Sequence, residues 1–513
     1  MRINKIVIVG GGSSGWMSAA AFCKNFPDMD ITLIESKNIK TIGVGESTIQ
    51  QINSFFDLLG LEDSEWMSKC DATYKVSIGF TDFREKGSKF QYPFGASGSK
   101  HMPLGHDCWP IIRQLNPEEN ALEKFAEFYN PNTYLANYNK LTTNEDQSVP
   151  NFRLKYDTAY HFDAAKFAIY LRDYLCIPNG LKHITEEVVD ITQKENGDVE
   201  FVITESGSKF SADLFIDCTG FKSLLLEKTM GSKFISYADT LLNDRALATK
   251  LEYDNPEIEM ENVTNCTAIE NGWVWNIPLW NRIGSGYVYS SKFVDRDQAE
   301  IEFRNHLKSQ GKEISETAEI LDIEIKHGRH EKVWIGNVIG VGLSYGFIEP
   351  LESTGLLTTH ENIYRLVRML QRRDRNVVGV DKTLLNMHLA HNIDSTRSFI
   401  EMHYGLSLRD DTEYWRHVTN IDYGNTPDSS QLEVNCLRTS NYNGVLGGLT
   451  YIAAGMGYLP TYKFGNGYGE ITDEDQETFR NVEREYKMFA DSVKSYIQTL
   501  PSHYQFLKNH IYS

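Results

Sequence analysis

The chain has 513 residues, of which 41% are hydrophobic and 24% charged, so it can bury a large core and is neither disordered nor fibrous in composition. Its formal net charge of -19 at pH 7 repels nucleic-acid phosphates and anionic membrane surfaces. We therefore expect neither nucleic acid nor a membrane as a partner.

The seven cysteines are scattered and show no CxxC spacing, which argues against a disulfide framework and against a zinc site. The N-terminal residues lead directly into an apolar strand, without the long apolar segment of a signal peptide. We expect a cytoplasmic protein without a bound metal, and the sequence is compatible with a homo-oligomer.

The first predicted elements form a βαβ unit. Lys5–Gly10, with the sequence KIVIVG, is a short apolar run typical of a strand buried in a parallel sheet. A helix is predicted from about Ser14 to Lys24, and a second strand from Ile31 to Glu35. The alternation of strand, helix and strand predicts an α/β fold.

The turn between the first strand and the helix, GGGSSG, fits the GxGxxG pattern. Gly10 permits a tight turn, Gly12 and the following Ser13 let backbone N–H groups approach a pyrophosphate, and Gly15 allows close helix packing. Glu35 ends the second strand, where its carboxylate can accept hydrogen bonds from an adenosine ribose. These residues predict a dinucleotide site, without by themselves separating FAD from NAD.

Two later segments repeat the strand-to-glycine pattern, Asp213–Thr219 (DLFIDCT) and Gly336–Gly342 (GNVIGVG). They resemble elements of FAD-dependent monooxygenase-like enzymes, and their wide spacing favours a discontinuous Rossmann-type domain. We expect this FAD-binding domain in residues 1–75, 155–240 and 330–375. A mainly helical, aromatic-rich substrate region is expected in residues 76–154, 241–329 and 376–513.

The segment Trp273–Pro278 reads WVWNIP and places two indoles on the same side of an extended chain. Alone, it is also compatible with an ordinary core strand. Other stretches share its context: GVGEST at 43–48, YPFG at 92–95, GYVYS at 286–290 and GFIEPLESTG at 346–355. Together, from residue 5 to about 415, they resemble the flavin-dependent halogenases of the tryptophan-halogenase type.

This resemblance implies a halogenase that uses FADH2 from a separate flavin reductase, O2 and a halide, which is bromide, chloride or iodide. Hypohalous acid forms near the flavin and travels through a tunnel to an electron-rich aromatic small molecule. Lys75 matches the lysine that hydrogen-bonds this acid or becomes a haloamine, and Glu352 matches the glutamate beside the substrate. Both are expected to be catalytic.

The same resemblance assigns the remaining residues. The backbone N–H groups of Thr354 and Gly355 are expected to hold the halide, a role for which oriented amides are suited. Trp273, Trp275 and Ser353 are expected along the tunnel. Contacts with FAD are expected from Gly12, Gly15, Ser36, Ile42, Ser47, Leu343 and Leu356.

The chain departs from tryptophan-specific members at residues 441–451, which read NYNGVLGGLTY and lack an adjacent tyrosine pair and a tryptophan. Free tryptophan is therefore a doubtful substrate, and other indoles, phenols or heteroaromatics are favoured. Candidates for stacking against a planar ring are His101, Pro103, Tyr442, Tyr451 and Tyr458.

Two alternatives stay open at the level of sequence. A flavin-dependent aromatic hydroxylase would transfer oxygen directly to its substrate and would have no use for Lys75 or for the paired tryptophans. A non-catalytic FAD-binding protein would have no need to retain both Lys75 and Glu352.

Overall fold

A computed structural model of the chain describes residues 1–38, 45–95, 124–423, 448–457 and 472–513. Contacts divide the chain into two compact units, each assembled from three separate stretches. The first unit contains Met1–Ala72, His161–Asp244 and Glu324–Arg397, and the second contains Thr73–Tyr160, Arg245–Ile323 and Ser398–Ser513.

The strands of the described residues follow in chain order. They are β1 (Lys5–Val9), β2 (Asp30–Glu35), β3 (Glu46–Ser47), β4 (Thr73–Lys75), β5 (Ser77–Thr81), β6 (Lys89–Pro93), β7 (Ala159–Phe162), β8 (Lys182–Thr185), β9 (Val188–Gln193), β10 (Val199–Thr204), β11 (Lys209–Phe210), β12 (Leu214–Asp217), β13 (Phe234–Ser236), β14 (Arg245–Leu251), β15 (Val263–Ile269), β16 (Gly272–Pro278), β17 (Ile283–Tyr289), β18 (Leu321–Glu324), β19 (Gly328–His330), β20 (Trp334–Ile335), β21 (Val338–Gly340) and β22 (Gly346–Phe347).

The α-helices are numbered in the same way. They are α1 (Ser13–Asn25), α2 (Ile52–Leu59), α3 (Asp63–Trp66), α4 (Phe125–Tyr129), α5 (Asn132–Asn137), α6 (Ala164–Tyr170), α7 (Pro256–Glu259), α8 (Arg296–Ser309), α9 (Leu357–Arg372), α10 (Gly379–Gly405), α11 (Glu413–Val418), α12 (Leu449–Gly455), α13 (Asp473–Thr499) and α14 (His503–His510). In the described part of the chain, none of them is long and apolar enough to cross a membrane.

A six-stranded sheet, in the order β20-β21-β12-β1-β2-β8, forms the centre of the first unit. β1 pairs in parallel with β2 on one side and with β12 on the other, and only β20 at the edge is antiparallel to its neighbour. Ile6, Val7 and Ile8 are fully buried, as expected for a strand covered on both faces. The α/β fold and its predicted strands are thus confirmed.

The first unit extends to Arg397, beyond residue 375, where the sequence analysis ended the FAD-binding domain. The side-chain carbonyl of Asn386, on α10, accepts hydrogen bonds from the backbone N–H groups of Val333 and Trp334, each at 2.8 Å. These bonds join the first part of α10 to β20, a long-range pairing that no local sequence pattern reveals.

The carboxylate of Asp217 organises the loop that follows β12. It is fully buried, and it accepts hydrogen bonds from the N–H groups of Thr219 at 3.0 Å, Leu225 at 2.8 Å and Leu226 at 2.8 Å. The Thr219 hydroxyl donates a fourth bond at 2.7 Å. Because buried polar groups are costly unless paired, these bonds fix the turn at the end of the strand.

A seven-stranded sheet, in the order β18-β14-β17-β16-β15-β5-β6, lies in the second unit. The sequence analysis expected a mainly helical region here and did not predict this sheet. The strands of the sheet are rich in aromatic residues and lack a clear alternation of apolar and polar residues. One face carries Val274 and Tyr287, which form a buried cluster with Phe303 of α8. Side chains alternate along a strand, so Trp273 and Trp275 lie on the opposite face.

We predict that Asp217→Ala lowers the free energy of unfolding of the FAD-free protein by about 3 kcal/mol, because buried backbone donors lose their acceptor. Urea unfolding followed by tryptophan fluorescence would measure this change. Glu200→Ala is the matched control, since Glu200 is an exposed carboxylate on β10 of the same unit. Equal effects of the two substitutions would contradict the structural role of Asp217.

Candidate active site

The glycine-rich turn after β1 needs glycine at two of its positions for reasons internal to the protein. Gly10 has a φ of +111°, and a Cβ atom at this position would overlap the Cys218 carbonyl oxygen. A Cβ atom on Gly15 would overlap the carbonyl oxygen of Gly10. These two glycines permit β1, β12 and α1 to approach each other closely.

Gly12 differs from its neighbours, because a Cβ atom on it would meet no protein atom within 4 Å. It is the N-cap of α1, and Ser13 is the first residue of that helix. Having no side chain, Gly12 cannot itself cap the N–H groups of the first turn. Open space beside the N-terminus of a helix of 13 residues fits the pyrophosphate of a dinucleotide.

Glu35 lies beside the glycine-rich turn, where a Cβ atom on Gly11 would overlap its carboxylate. Its Oε1 atom is 2.7 Å from Nε2 of His183, and the His183 ring packs edge-on against Trp16. The sequence analysis did not identify His183. Its proximity follows from the parallel pairing of β2 with β8, which only the fold establishes.

The other expected FAD contacts lie at different places in the first unit. Ser36 follows β2, and its hydroxyl accepts a hydrogen bond from the N–H group of Asn38 at 3.1 Å. Leu343 is 37% exposed on the short 3-10 helix Gly342–Ser344, and Leu356 is buried immediately before α9. Ile42 lies outside the described residues.

The loop before α9 buries two glutamates. Glu349 is fully buried, and its Oε2 atom accepts a hydrogen bond from Nδ2 of Asn243 at 2.9 Å. The carbonyl oxygen of Asn243 lies 2.5 Å from Nε2 of His327, which ties Glu349 to a structural network. Glu352 is 1% exposed and ends the 3-10 turn Pro350–Glu352.

Ser353 and Ser47 fix the backbone that follows Glu352. Ser353 has a φ of +56°, a left-handed conformation that is uncommon for a residue other than glycine. Its hydroxyl lies 3.0 Å from the hydroxyl of Ser47 on β3. This contact ties the strained turn to the strand, and strain of this kind is often found at functional sites.

Thr354 and Gly355 lead into α9, a helix of 16 residues. They are the two residues before Leu356, the N-cap of this helix, and the N-terminus of a helix favours an anion nearby. A Cβ atom on Gly355 would be 3.6 Å from Oε2 of Glu46 and 3.9 Å from Cβ of Pro350. The immediate neighbour of Gly355 is thus an acidic side chain.

Glu46 was not among the residues that the sequence analysis singled out, although it lies within the GVGEST stretch. Burial, together with the negative charge of Asp163, raises the pKa of Glu46 to about 7. Asp163 is itself buried and caps α6, where its Oδ1 atom accepts a hydrogen bond from the Lys166 N–H group at 3.0 Å. A sequence motif shows that an acid is present but not what surrounds it.

In the second unit, Lys75 is fully buried at the end of β4. Its Nζ atom lies 5.1 Å from the centre of the Phe94 ring, within the range of a cation–π contact. The Phe94 carbonyl accepts hydrogen bonds from the side-chain amides of Asn130 and Asn132, each at 3.0 Å. The aromatic ring beside the lysine is therefore held in place.

Four aromatic residues of the second unit form what we call the aromatic wall, comprising Tyr92, Phe94, Phe125 and Tyr451. Tyr92 packs edge-on against Phe94 at 5.6 Å and is stacked with Tyr451 at 6.0 Å. Phe125 packs against Tyr451 at 5.7 Å. Through Phe94 the aromatic wall adjoins Lys75, whereas Tyr451 packs against Tyr92 and Phe125.

The other candidates for substrate stacking, His101, Pro103, Tyr442 and Tyr458, lie outside the described residues. Trp273 and Trp275 lie on β16 with ring centres 6.0 Å apart. A Cβ atom on Gly286 would overlap the Trp275 indole, so this glycine allows the ring to lie against β17. Nε1 of Trp275 is buried and has no hydrogen-bond partner among the described residues.

In the first unit, one set of expected residues lies together. Glu352, Ser353, Thr354 and Gly355 follow one another in the first unit, with Ser47 against them. Described residues contain no group of three or more histidine, cysteine, aspartate or glutamate side chains placed to hold a metal ion.

Comparison with known proteins identifies the family of this chain. A family model described as tryptophan halogenase matches residues 5–499. The chain is 33% identical to 7-chloro-L-tryptophan 6-halogenase KtzR of Kutzneria sp. (strain 744), covering 98% of both proteins.

Solved structures are similar over the full length as well. The apo structure of VirX1 has a TM-score of 0.90 and 43% identity, with 100% of both chains covered. Tar14, a tryptophan C-6 flavin-dependent halogenase (chlorinase) from taromycin biosynthesis, has a TM-score of 0.84 and 32% identity, covering 99% of this chain and 100% of that chain.

We predict that Gly12→Val weakens FAD binding at least about 100-fold while leaving the melting temperature of the FAD-free protein unchanged, because its side chain enters only the space expected for pyrophosphate. Gly15→Val is expected to lower both the affinity for FAD and the melting temperature, since its side chain clashes with atoms of the protein itself. FAD fluorescence titration and thermal melting measure the two effects.

Gly379→Ala serves as the control for this experiment, because Gly379 also has open space around it and lies at the start of α10. It should leave both FAD affinity and melting temperature unchanged. Normal FAD affinity in Gly12→Val would rule out this cradle as the pyrophosphate site.

Proposed function

This chain belongs to the tryptophan halogenase family, and from that premise we propose which of its residues carry the reaction and which substrates it accepts. It is an FADH2-dependent halogenase that uses O2 and a halide to halogenate an aromatic substrate, with the flavin reduced by a separate reductase. The comparisons do not favour the hydroxylase and the non-catalytic flavoprotein.

The proposed FAD site is the carboxyl edge of the six-stranded sheet, and the first unit is the proposed FAD-binding domain. The turn from Gly10 to Gly15 would hold the pyrophosphate, and Glu35 would accept hydrogen bonds from the ribose. When bound, the reduced flavin supplies the oxygen activation that oxidises the halide. We propose that the reductase acts transiently or through diffusing FADH2.

The halide is proposed to bind to the backbone N–H groups of Thr354 and Gly355. Support comes from their position at the N-terminus of α9 and from the fixed conformation of Ser353 beside them. Oriented amides bind an anion without a charged side chain, and the dipole of the helix adds to the attraction.

Lys75 and Glu352 are the proposed catalytic residues, and their burial is the observation that carries the proposal. They are 0% and 1% exposed, and ionisable side chains removed from solvent are common at catalytic sites. As an ammonium group, Lys75 can donate a hydrogen bond to hypohalous acid. As a neutral amine, it can take up the halogen with release of water and become a haloamine.

The proposed role of Glu352 begins when the ring carbon of the substrate has taken the halogen. The ring is then cationic, and a nearby carboxylate can stabilise this charge and accept the proton that leaves the same carbon. The 3-10 turn and the bond from Ser353 to Ser47 hold the backbone of Glu352 in place for this task. Glu349 is committed to Asn243 instead.

The proposed substrate is an electron-rich aromatic other than free tryptophan, such as a simple indole or a phenol. Supporting this proposal, the aromatic wall consists of planar apolar rings of the kind that pack against an aromatic substrate, and one of them, Phe94, lies beside Lys75. The relatives' names specify tryptophan for those proteins. In this chain the glycine-rich segment before Tyr451 departs from the tryptophan-specific pattern.

We predict that Lys75→Ala and Glu352→Gln each lower the rate of bromination of a simple indole at least about 100-fold, in line with the loss of a general acid or base. The assay contains FAD, a flavin reductase, NADH, O2 and bromide, with mass spectrometry of the product. FAD affinity should not change.

Lys89→Ala is the control for Lys75, since Lys89 is exposed on β6 of the same unit. Hydroxylated product that forms without any halide would instead support the hydroxylase. Full bromination by either variant would remove that residue from the proposed mechanism.

We predict further that Tyr451→Leu raises the KM for the indole about three- to tenfold, which is the usual contribution of one aromatic contact, with little change in kcat. Tyr451→Phe should behave like the unmodified enzyme, and Tyr156→Leu, at an exposed tyrosine, is the control. In a panel of substrates and halides, free tryptophan should turn over more slowly than simple indoles. Preference for tryptophan would refute the substrate proposal.

A further inference from the structure

Glu46 is an acidic side chain beside the backbone that is proposed to bind a halide. Its Oε2 atom is the nearest protein atom to the position of a Cβ atom on Gly355, at 3.6 Å. Glu46 as a whole residue is half-buried. An ionised carboxylate there would repel a halide.

The position of Glu46 is set by contacts on both sides of β3. Glu46 pairs with Phe162 of β7, and the next residue, Ser47, is hydrogen-bonded to Ser353 of the loop before α9. The backbone of Glu46 is therefore held beside this loop, with its Oε2 atom near Gly355. Its charge state bears directly on any anion at Gly355.

Charged and titratable groups surround Glu46 on the elements packed against it. Two of them are His161 on β7 and Asp163 at the N-cap of α6. The loop before α9 contributes Glu349 and Glu352. Cys70 and the ion pair of Asp71 with Lys166 interact with Asp163 in turn. Burial is the largest cause of the raised pKa of Glu46, and the negative charge of Asp163 adds to it. This environment favours the neutral acid, which has an O–H group to donate.

We propose that Glu46 is a further member of the halide site, whose neutral carboxyl group donates an O–H hydrogen bond to the bound halide and whose ionisation expels it. This inference rests on the proposed halide site at Thr354 and Gly355. It makes halide binding a proton-linked event, because the protonated form of Glu46 binds the anion and the ionised form does not. Halide affinity then falls as the pH rises.

The test is the affinity of the FAD-loaded enzyme for bromide from pH 5.5 to 9, at constant ionic strength without other halides. Isothermal titration calorimetry measures the Kd directly. Because the pKa of Glu46 is about 7, the Kd should be constant at low pH and rise about tenfold per pH unit above that value. Glu46→Gln keeps the shape and a donor but cannot ionise, so its Kd should not change with pH.

Two further variants separate the effect of Glu46 ionisation on bromide affinity from effects of pH on other carboxyl groups. Asp163→Asn removes the negative charge but retains an N-cap, so the pKa of Glu46 should fall and the loss of affinity should begin at lower pH. Glu302→Gln is the matched control, because burial also raises the pKa of Glu302, on α8 of the second unit. This control should keep the pH dependence of the unmodified enzyme.

Two outcomes would overturn the inference: a bromide Kd that stays constant across the pH range in the unmodified enzyme, or an unchanged pH dependence in Glu46→Gln. Bromination of the indole at pH 6 is measured in parallel. Brominated product together with a pH-independent Kd would reject the role of Glu46 and leave the proposed function intact. Absence of both bromide binding and product would instead reject the proposed function.

Discussion

The parallel pairing of β1 with β2 on one side and β12 on the other is the constraint on which the first unit depends. Parallel strands end at the same edge of a sheet, so this pairing brings the glycine-rich turn, Glu35 and Asp217 together. Gly10 must then pass against the Cys218 carbonyl, which only glycine can do. Strand packing alone thus requires the shape of the turn that we propose as the dinucleotide cradle.

Several ionisable side chains of the molecule are buried. Lys75, Glu349 and Glu352 are all removed from solvent, and such burial is costly unless partners or a function compensate for it. For Glu349 the compensation is a hydrogen bond from Asn243, whose carbonyl oxygen in turn contacts His327. Glu46 illustrates another solution, in which burial and the negative charge of Asp163 raise the pKa of the acid to about 7, so that it is neutral at lower pH.

The two faces of the seven-stranded sheet carry different sets of side chains in the second unit. Val274 and Tyr287 face α8 and build an ordinary core, whereas Trp273 and Trp275 project from the other face. Successive side chains of a strand point in opposite directions, so the single motif on β16 places residues on both faces of the sheet. Glycines such as Gly286 make room for the large indoles.

The sequence by itself determined the α/β fold, the early βαβ unit, the glycine turn and the identity of the family, because strand periodicity and glycine stereochemistry are local properties. The burial of Lys75 and Glu352, the contact of His183 with Glu35, the stacking of Tyr451 on Tyr92 and the position of Glu46 beside Gly355 were decided only by the tertiary structure. Each contact joins residues far apart in the chain. Such contacts depend on strand order and register, which no local pattern encodes.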